Sequence, residues 1–127
     1  RLDLNKKPRR LDVEKAMNVT DFYSMGVSKY KPARIPGYAY RRKLLIKCEK
    51  FTMETIELGR QTLSERPHPQ HSVVHTIVQG KGKYLYGDRK KESQPFKKGE
   101  TYLLPAKIGE YDVHSQGNTE IVVSYVE

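Results

Sequence analysis

Residues 73–86 read VVHTIVQGKGKYLY, and residues 96–106 read FKKGETYLLPA. In both stretches a short apolar run is followed by a glycine or a proline, which interrupts regular structure. Pro105 comes where a strand no longer needs to donate a backbone hydrogen bond. The two stretches therefore predict strands joined by tight turns at Gly80 and Gly99, with the strands at Ser72–Gln79, Gly82–Tyr86 and Thr101–Leu104.

The same pattern continues on both sides of these stretches. Further strands are predicted at Leu44–Cys48, Phe51–Leu58, Tyr111–Ser115 and Glu120–Val126. Seven short strands separated by turns favour an all-β sandwich or barrel. Alternation in the strand from Tyr111 places Tyr111, Val113 and Ser115 on one face and Asp112 and His114 on the other. The last strand is so apolar that we expect it to run inside the sandwich.

Residues 1–42 follow a different pattern and form an irregular, basic leader ahead of a β-domain at residues 43–127. A short helix is predicted at about residues 12–18, with Asp12 as its N-cap and with Leu11 and Ala16 as a hydrophobic staple. From Tyr23 to Arg42, glycines and prolines alternate with tyrosines and basic residues. This tract predicts an extended connection over a surface.

The net charge of +9 lies entirely in the first fifty residues, which hold 14 Lys and Arg against 5 Asp and Glu. Such a segment attracts nucleic acid or an anionic metabolite, or is simply solvated. Nine tyrosines and no tryptophan are typical of a β-rich chain whose hydroxyls reach solvent. The single cysteine, Cys48, follows an apolar run, which favours a buried thiol. With no apolar run of membrane-spanning length and no secretory signal, a cytoplasmic location is expected.

Four separated blocks of the sequence resemble one family in the order of that family. The turns in VQGKG (78–82), FKKGE (96–100) and LLPA (103–106) look like the body of a cupin jelly roll. The blocks LPAKIGEY (104–111) and EIVVSYV (120–126) are similar to the end of the class I mannose-6-phosphate isomerases. PRRLDVEKAMNV (8–19) resembles the segment that leaves the catalytic domain of this family, and FTMETI (51–56) resembles one of its strands.

The resemblance implies a C-terminal cupin domain that supports a catalytic cupin domain absent from this chain. The family interconverts mannose 6-phosphate and fructose 6-phosphate by proton transfer, with a zinc ion bound in the N-terminal cupin. Arg1 stands where the family has an active-site arginine, and the neighbouring Lys6, Lys7, Arg9 and Arg10 are candidates for binding the substrate phosphate. The resemblance therefore implies an inactive chain by itself, with the catalytic domain as its partner. An exposed surface that met such a domain would also allow a homodimer.

The histidines do not fit the metal pattern of the cupins, so no metal is predicted in this chain. Val73 stands at the position of the motif glutamate, and Glu110 stands where the later histidine is expected. His68 and His71 lie in a proline-rich loop and are expected to be exposed. His75 is predicted to be a hydrogen-bonded histidine of the sheet, and His114 to face solvent.

Two other functions stay open at this stage. A free-standing cupin module could use the basic N-terminal segment to bind an anionic partner, either a sugar phosphate or, less in keeping with the resemblance, a nucleic acid. A stand-alone metal-dependent cupin enzyme is the other alternative, and it requires a metal bound by this chain.

Overall fold

Ten β-strands account for most of the described chain. The computed structural model describes residues 11–21, 31–67 and 70–126. Within these ranges there is one α-helix, α1 (Val13–Val19). The strands are β1 (Ala33–Ile35), β2 (Arg41–Lys47), β3 (Thr52–Leu58), β4 (Thr62–Glu65), β5 (Val73–Gln79), β6 (Lys81–Tyr86), β7 (Glu92–Lys97), β8 (Thr101–Leu104), β9 (Tyr111–Ser115) and β10 (Thr119–Tyr125).

The strands form two antiparallel sheets. One has the order β1-β2-β3-β10-β5-β8, and the other has the order β4-β9-β6-β7. The last strand of the chain pairs with β3 on one side and with β5 on the other. The predicted all-β sandwich is confirmed, as is the internal position of the final strand.

The core lies between the two sheets and is built by the inward side chains of both. The six-stranded sheet contributes buried aliphatic residues, and the four-stranded sheet contributes most of the buried aromatic ones. In β9, alternation buries Tyr111, Val113 and Ser115 and leaves Asp112 and His114 partly exposed on the opposite face, as predicted. The buried apolar residues are Ile56, Leu58, Leu63, Ile77, Tyr84, Phe96, Leu104, Tyr111, Val113, Ile121 and Val123.

The connection from β5 into β6 requires two glycines, Gly80 between the strands and Gly82 within β6. Gly80 has φ +92°, a conformation that side chains disfavour, and an added Cβ would collide with the side chain of Thr119. Gly82 has room for no side chain, because a Cβ there would overlap the carbonyl oxygen of His114. These two close approaches bring β6 against β9 and the start of β10.

Three strands lie where the sequence predicted none. Ala33–Ile35, in the tract predicted as an irregular connection, pairs with β2, and β2 itself begins at Arg41. Thr62–Glu65 pairs with β9, and Glu92–Lys97 pairs with β6. All three lie at the edges of their sheets.

Two predictions about local packing were wrong. The helix forms where expected, but Asp12 makes no side-chain capping bond and none of the helical residues is buried. Leu11 is 83% exposed, so no hydrophobic staple forms. Cys48 is exposed, because β2 ends at Lys47 and the cysteine lies in the turn that leads to Phe51.

Candidate functional site

A cavity of about 410 Å³ is lined by residues from both sheets. Its buried wall includes Tyr111 and Val123, whose side chains also belong to the core. Polar groups from β2, β4 and the end of β10 complete it. The lining residues are Arg42, Glu65, Arg66, Pro67, His71, Val73, Tyr111, Val123 and Tyr125.

Arg42 is the centre of a largely buried ion-pair network beside this cavity. Its Nε donates to Glu54 Oε2 at 2.6 Å, and its Nη1 donates to Glu65 Oε1 at 2.7 Å. The Tyr40 hydroxyl donates to the same Glu65 oxygen at 2.5 Å, and the Tyr125 hydroxyl donates to Glu54 Oε1 at 3.2 Å. The side chains of Arg42, Glu54 and Glu65 are only 12%, 7% and 18% exposed. The strands β2, β3 and β4 thus bring one cation and two carboxylates together.

The charge of Arg42 is fixed by these neighbours. Burial alone would lower the pKa of Arg42, but the carboxylates of Glu65 and Glu54 raise it above its ordinary value. The Tyr38 ring lies 4.9 Å from the guanidinium carbon and adds a cation–π contact. Since two carboxylates face one guanidinium, the network carries a formal charge of −1.

His75 is fully buried between two tyrosine hydroxyls. Its Nδ1 lies 3.2 Å from the Tyr84 hydroxyl, and its Nε2 lies 3.3 Å from the Tyr111 hydroxyl. Burial, followed by the positive charge of Arg42, lowers the pKa of His75 to about 3. A neutral imidazole has one donor and one acceptor nitrogen, so one tyrosine accepts from it and the other donates to it. The predicted hydrogen-bonded sheet histidine is confirmed, whereas the hydroxyls expected to reach solvent are buried here.

Most of the other predicted site residues fall outside the part of the chain that the structure describes. Arg1, Lys6, Lys7, Arg9, Arg10 and His68 lie outside the described residues. Glu110, at the expected metal-ligand position, bonds to Lys90 at 2.9 Å on the surface. No three His, Cys, Asp or Glu side chains of the described ranges gather in a way that could hold a metal ion.

Sequence reasoning missed the network of Arg42, Glu54 and Glu65, although one signal for it was present. In the strand TMETIEL, alternation places Glu54 on the same face as Ile56 and Leu58. A carboxylate on an apolar face requires a cationic partner, because burying an unpaired charge is costly. The partners, Arg42 and Glu65, lie on β2 and β4. The strand corresponding to β2 was predicted to begin only at Leu44, and β4 was not predicted.

Comparison with known protein structures identifies the fold of this chain. No family model matches the sequence, and no curated protein matches it either. The mannose 6-phosphate isomerase from Bacillus subtilis superposes with a TM-score of 0.71 and 22% identity, over 99% of this chain and 38% of that one. An RmlC-like cupin protein from Desulfovibrio desulfuricans gives a TM-score of 0.59 at 13% identity, over 68% of this chain and 81% of that one. This chain has the cupin fold.

Ectoine synthase from P. lautus supports the same assignment, with a TM-score of 0.62 at 14% identity over 73% of this chain and 67% of that one. The cupin chain spans well under half the length of the isomerase with which it superposes over 99% of its own residues. None of the helices in the described part of this cupin chain has the length and apolar character that crossing a bilayer requires.

Proposed function

We propose that this cupin chain is the C-terminal, non-metal domain of a cytoplasmic mannose-6-phosphate isomerase, which interconverts mannose 6-phosphate and fructose 6-phosphate. The observation that carries the proposal is the superposition on the isomerase from Bacillus subtilis, which takes in 99% of this chain but only 38% of the other. The RmlC-like cupin protein from Desulfovibrio desulfuricans, by contrast, covers 68% of this chain. The isomerase structure therefore aligns with residues of this chain that the RmlC-like cupin protein leaves unmatched.

The polar groups of the interior fit a supporting role better than a zinc centre. Catalytic zinc takes three protein ligands, most often histidine and carboxylate, with a water in an open position. His75 has both ring nitrogens engaged by tyrosine hydroxyls, and Glu54 and Glu65 are engaged by Arg42. In the described ranges the residues present do not fit zinc, so the metal of this proposal belongs to a separate catalytic cupin domain.

The role proposed for this domain is to pack against the catalytic domain and to help shape the sugar-phosphate site. The basic leader would contribute there, with Arg1 as an active-site residue and Lys6, Lys7, Arg9 and Arg10 near the phosphate. Their cationic side chains complement a phosphate dianion. This assignment of roles rests on the sequence resemblance.

The test is the intact mass and activity of the cellular protein that carries this sequence. We expect a mass of at least twice the 14.7 kDa of this chain, together with zinc-dependent isomerisation of mannose 6-phosphate. The 127-residue chain alone, assayed with added zinc, should show no turnover. A cellular protein of 14.7 kDa, or measurable turnover by this chain alone, would contradict the proposal.

A free-standing module that binds an anionic partner is the competing function, and the placement of the whole +9 charge in residues 1–50 favours it. It predicts affinity for a single-stranded oligonucleotide that falls steeply as salt increases, because bound cationic side chains release counterions. If no binding is measured at low salt, this alternative is excluded for nucleic acid.

A further inference from the structure

The cavity between the sheets combines a small volume with a donor and an acceptor held side by side. We propose that it binds an uncharged, polyhydroxylated molecule of monosaccharide size. This inference does not depend on the proposed function, since the isomerase site would lie in another domain.

The dimensions and the lining match those of a small-molecule site. Such sites enclose about 300–1,000 Å³ and combine apolar walls with a few convergent polar groups. Here the cavity measures about 410 Å³. Pro67, Val73 and Val123 give it apolar surface, and the rings of Tyr111 and Tyr125 give it aromatic surface. A sugar ring presents C–H groups that pack against surfaces of this kind.

Arg42 and Glu65 supply the matching hydrogen-bonding groups. Their mutual bond joins Nη1 of Arg42 to Oε1 of Glu65 at 2.7 Å. Among the described residues, Nη2 of Arg42 and Oε2 of Glu65 form no hydrogen bond. A donor and an acceptor on neighbouring groups complement adjacent hydroxyls, since each hydroxyl both donates and accepts. No buried side-chain nitrogen or oxygen of the described residues lacks a partner, so these two atoms are open to solvent and to an entering ligand.

The charge balance selects against anions. Arg42 and Glu65 line the cavity and Glu54 lies behind them on Arg42, so the ion-pair network beside the cavity carries a formal charge of −1. Arg66, the other lining cation, is 72% exposed and is paired with Glu110 at 3.4 Å. A phosphate or carboxylate entering the cavity would meet uncompensated negative charge in a low-dielectric setting. A neutral polyol meets no such penalty.

The test is an NMR titration of the 127-residue chain with labelled valine methyl groups. The probes are D-mannose, myo-inositol and D-mannose 6-phosphate, and the first and third differ only by the phosphate. We expect saturable shifts of the Val73 and Val123 methyl signals with a neutral probe, with a Kd of about 1 mM. D-mannose 6-phosphate should bind at least about tenfold more weakly than D-mannose. The proposal is overturned if neither neutral probe saturates, or if the phosphate binds as tightly as mannose.

Two variants separate the cavity from the rest of the surface. Val73→Phe places a ring in the cavity and should abolish the saturable shift of Val123, whereas Val78→Phe, on the same strand but 41% exposed and outside the cavity lining, should not. Glu65→Gln should weaken mannose binding about tenfold, because it replaces a charged hydrogen-bond acceptor by a neutral one. It should also reduce the difference in affinity between mannose and mannose 6-phosphate, because it removes one negative charge. Retained dispersion of the methyl spectrum shows that each variant folds. Unchanged mannose binding in either Val73→Phe or Glu65→Gln would refute the site.

Neither readout depends on isomerase activity. A cavity that binds no sugar would leave the proposed isomerase domain intact. A cellular protein of 14.7 kDa would contradict the isomerase proposal and would leave the proposed sugar binding in the cavity unaffected.

Discussion

His75 shows how the core accommodates a titratable side chain. The ring makes its two hydrogen bonds with the hydroxyls of Tyr84 and Tyr111, which are themselves buried. Both bonds suit a neutral imidazole, and Arg42 adds a repulsive positive charge if the ring is protonated. The histidine is therefore a pH-sensitive element of stability, and no acid or base with a near-neutral pKa is found at this position.

The stability of the chain should fall as pH is lowered below about 6.5. The pKa of His75 is about 3 in the folded chain and ordinary in the unfolded chain, so between these values the unfolded state binds the additional proton. Each pH unit in this window removes up to about 1.4 kcal/mol from the free energy of unfolding. Urea unfolding at pH 7 and pH 5 measures this loss. In His75→Gln the loss should be smaller than in the native chain; an equal loss would assign the pH dependence to the carboxylates.

Arg42 pairs with two carboxylates that have little access to solvent. Replacement of Arg42 by Met should therefore destabilise the chain by about 3–5 kcal/mol, because it leaves Glu54 and Glu65 buried without a cation. Arg41→Met is the matched control, since Arg41 is 62% exposed and pairs with Glu57 on the surface. Its effect should stay within about 1 kcal/mol in urea unfolding. Equal effects of the two substitutions would refute the structural importance of the buried network.

At the scale of the element, sequence patterns identified the strands that carry the core and missed those that carry little of it. β1 lies at the edge of its sheet, and β4 and β7 are the two edge strands of the other. In β4 only Leu63 is buried, and in β7 only Phe96. Because an edge strand with a single inward apolar residue shows no alternation, periodicity alone does not predict it. Pro95 within β7 is tolerated at an edge but argues against a strand in a sequence-based assignment.

The candidate site was harder to predict for a related reason. Arg42, Glu54 and Glu65 come from three different strands, and only their pairing in space explains each of them. Glu65 belongs to an unpredicted edge strand, and Arg42 was assigned to the leader. The hydrogen bonding of His75 was easier to infer, because a histidine within an apolar strand is expected to be satisfied by neighbours. Its partners, however, lie 9 and 36 residues away.

Gly82, near the start of β6, offers a sharp test of local packing. Gly82→Ala should destabilise the chain by more than about 2 kcal/mol, because the methyl group overlaps the carbonyl oxygen of His114 on the paired strand β9. Gly59→Ala is the control, since nothing lies within 4 Å of its added Cβ and its φ is not positive. Its effect should be within about 0.5 kcal/mol. Thermal or urea unfolding compares the two, and an equally stable Gly82→Ala chain would contradict the close approach of β6 and β9.

At the scale of the whole molecule, the strand order makes the end of the chain essential to the fold. The six-stranded sheet is continuous only through β10, which bridges β3 and β5 along its length. Its inward side chains Ile121 and Val123 are buried in the core, and Val123 also lines the cavity. Without β10, two internal strands would become edges, each with a row of unpaired backbone groups.

Removal of residues 119–127 should therefore abolish cooperative folding altogether, and not only lower stability. The remaining chain would retain both turn glycines and the four-stranded sheet, but the apolar faces of β3 and β5 would lie apart with no strand between them. The matched truncation removes only residues 126 and 127, of which Val126 is 58% exposed, and should keep a cooperative transition close to that of the full chain. Far-UV circular dichroism during urea unfolding distinguishes the two outcomes. A cooperative transition in the longer deletion would mean that β3 and β5 pair directly, and that the observed order is one of two sheets the sequence can form.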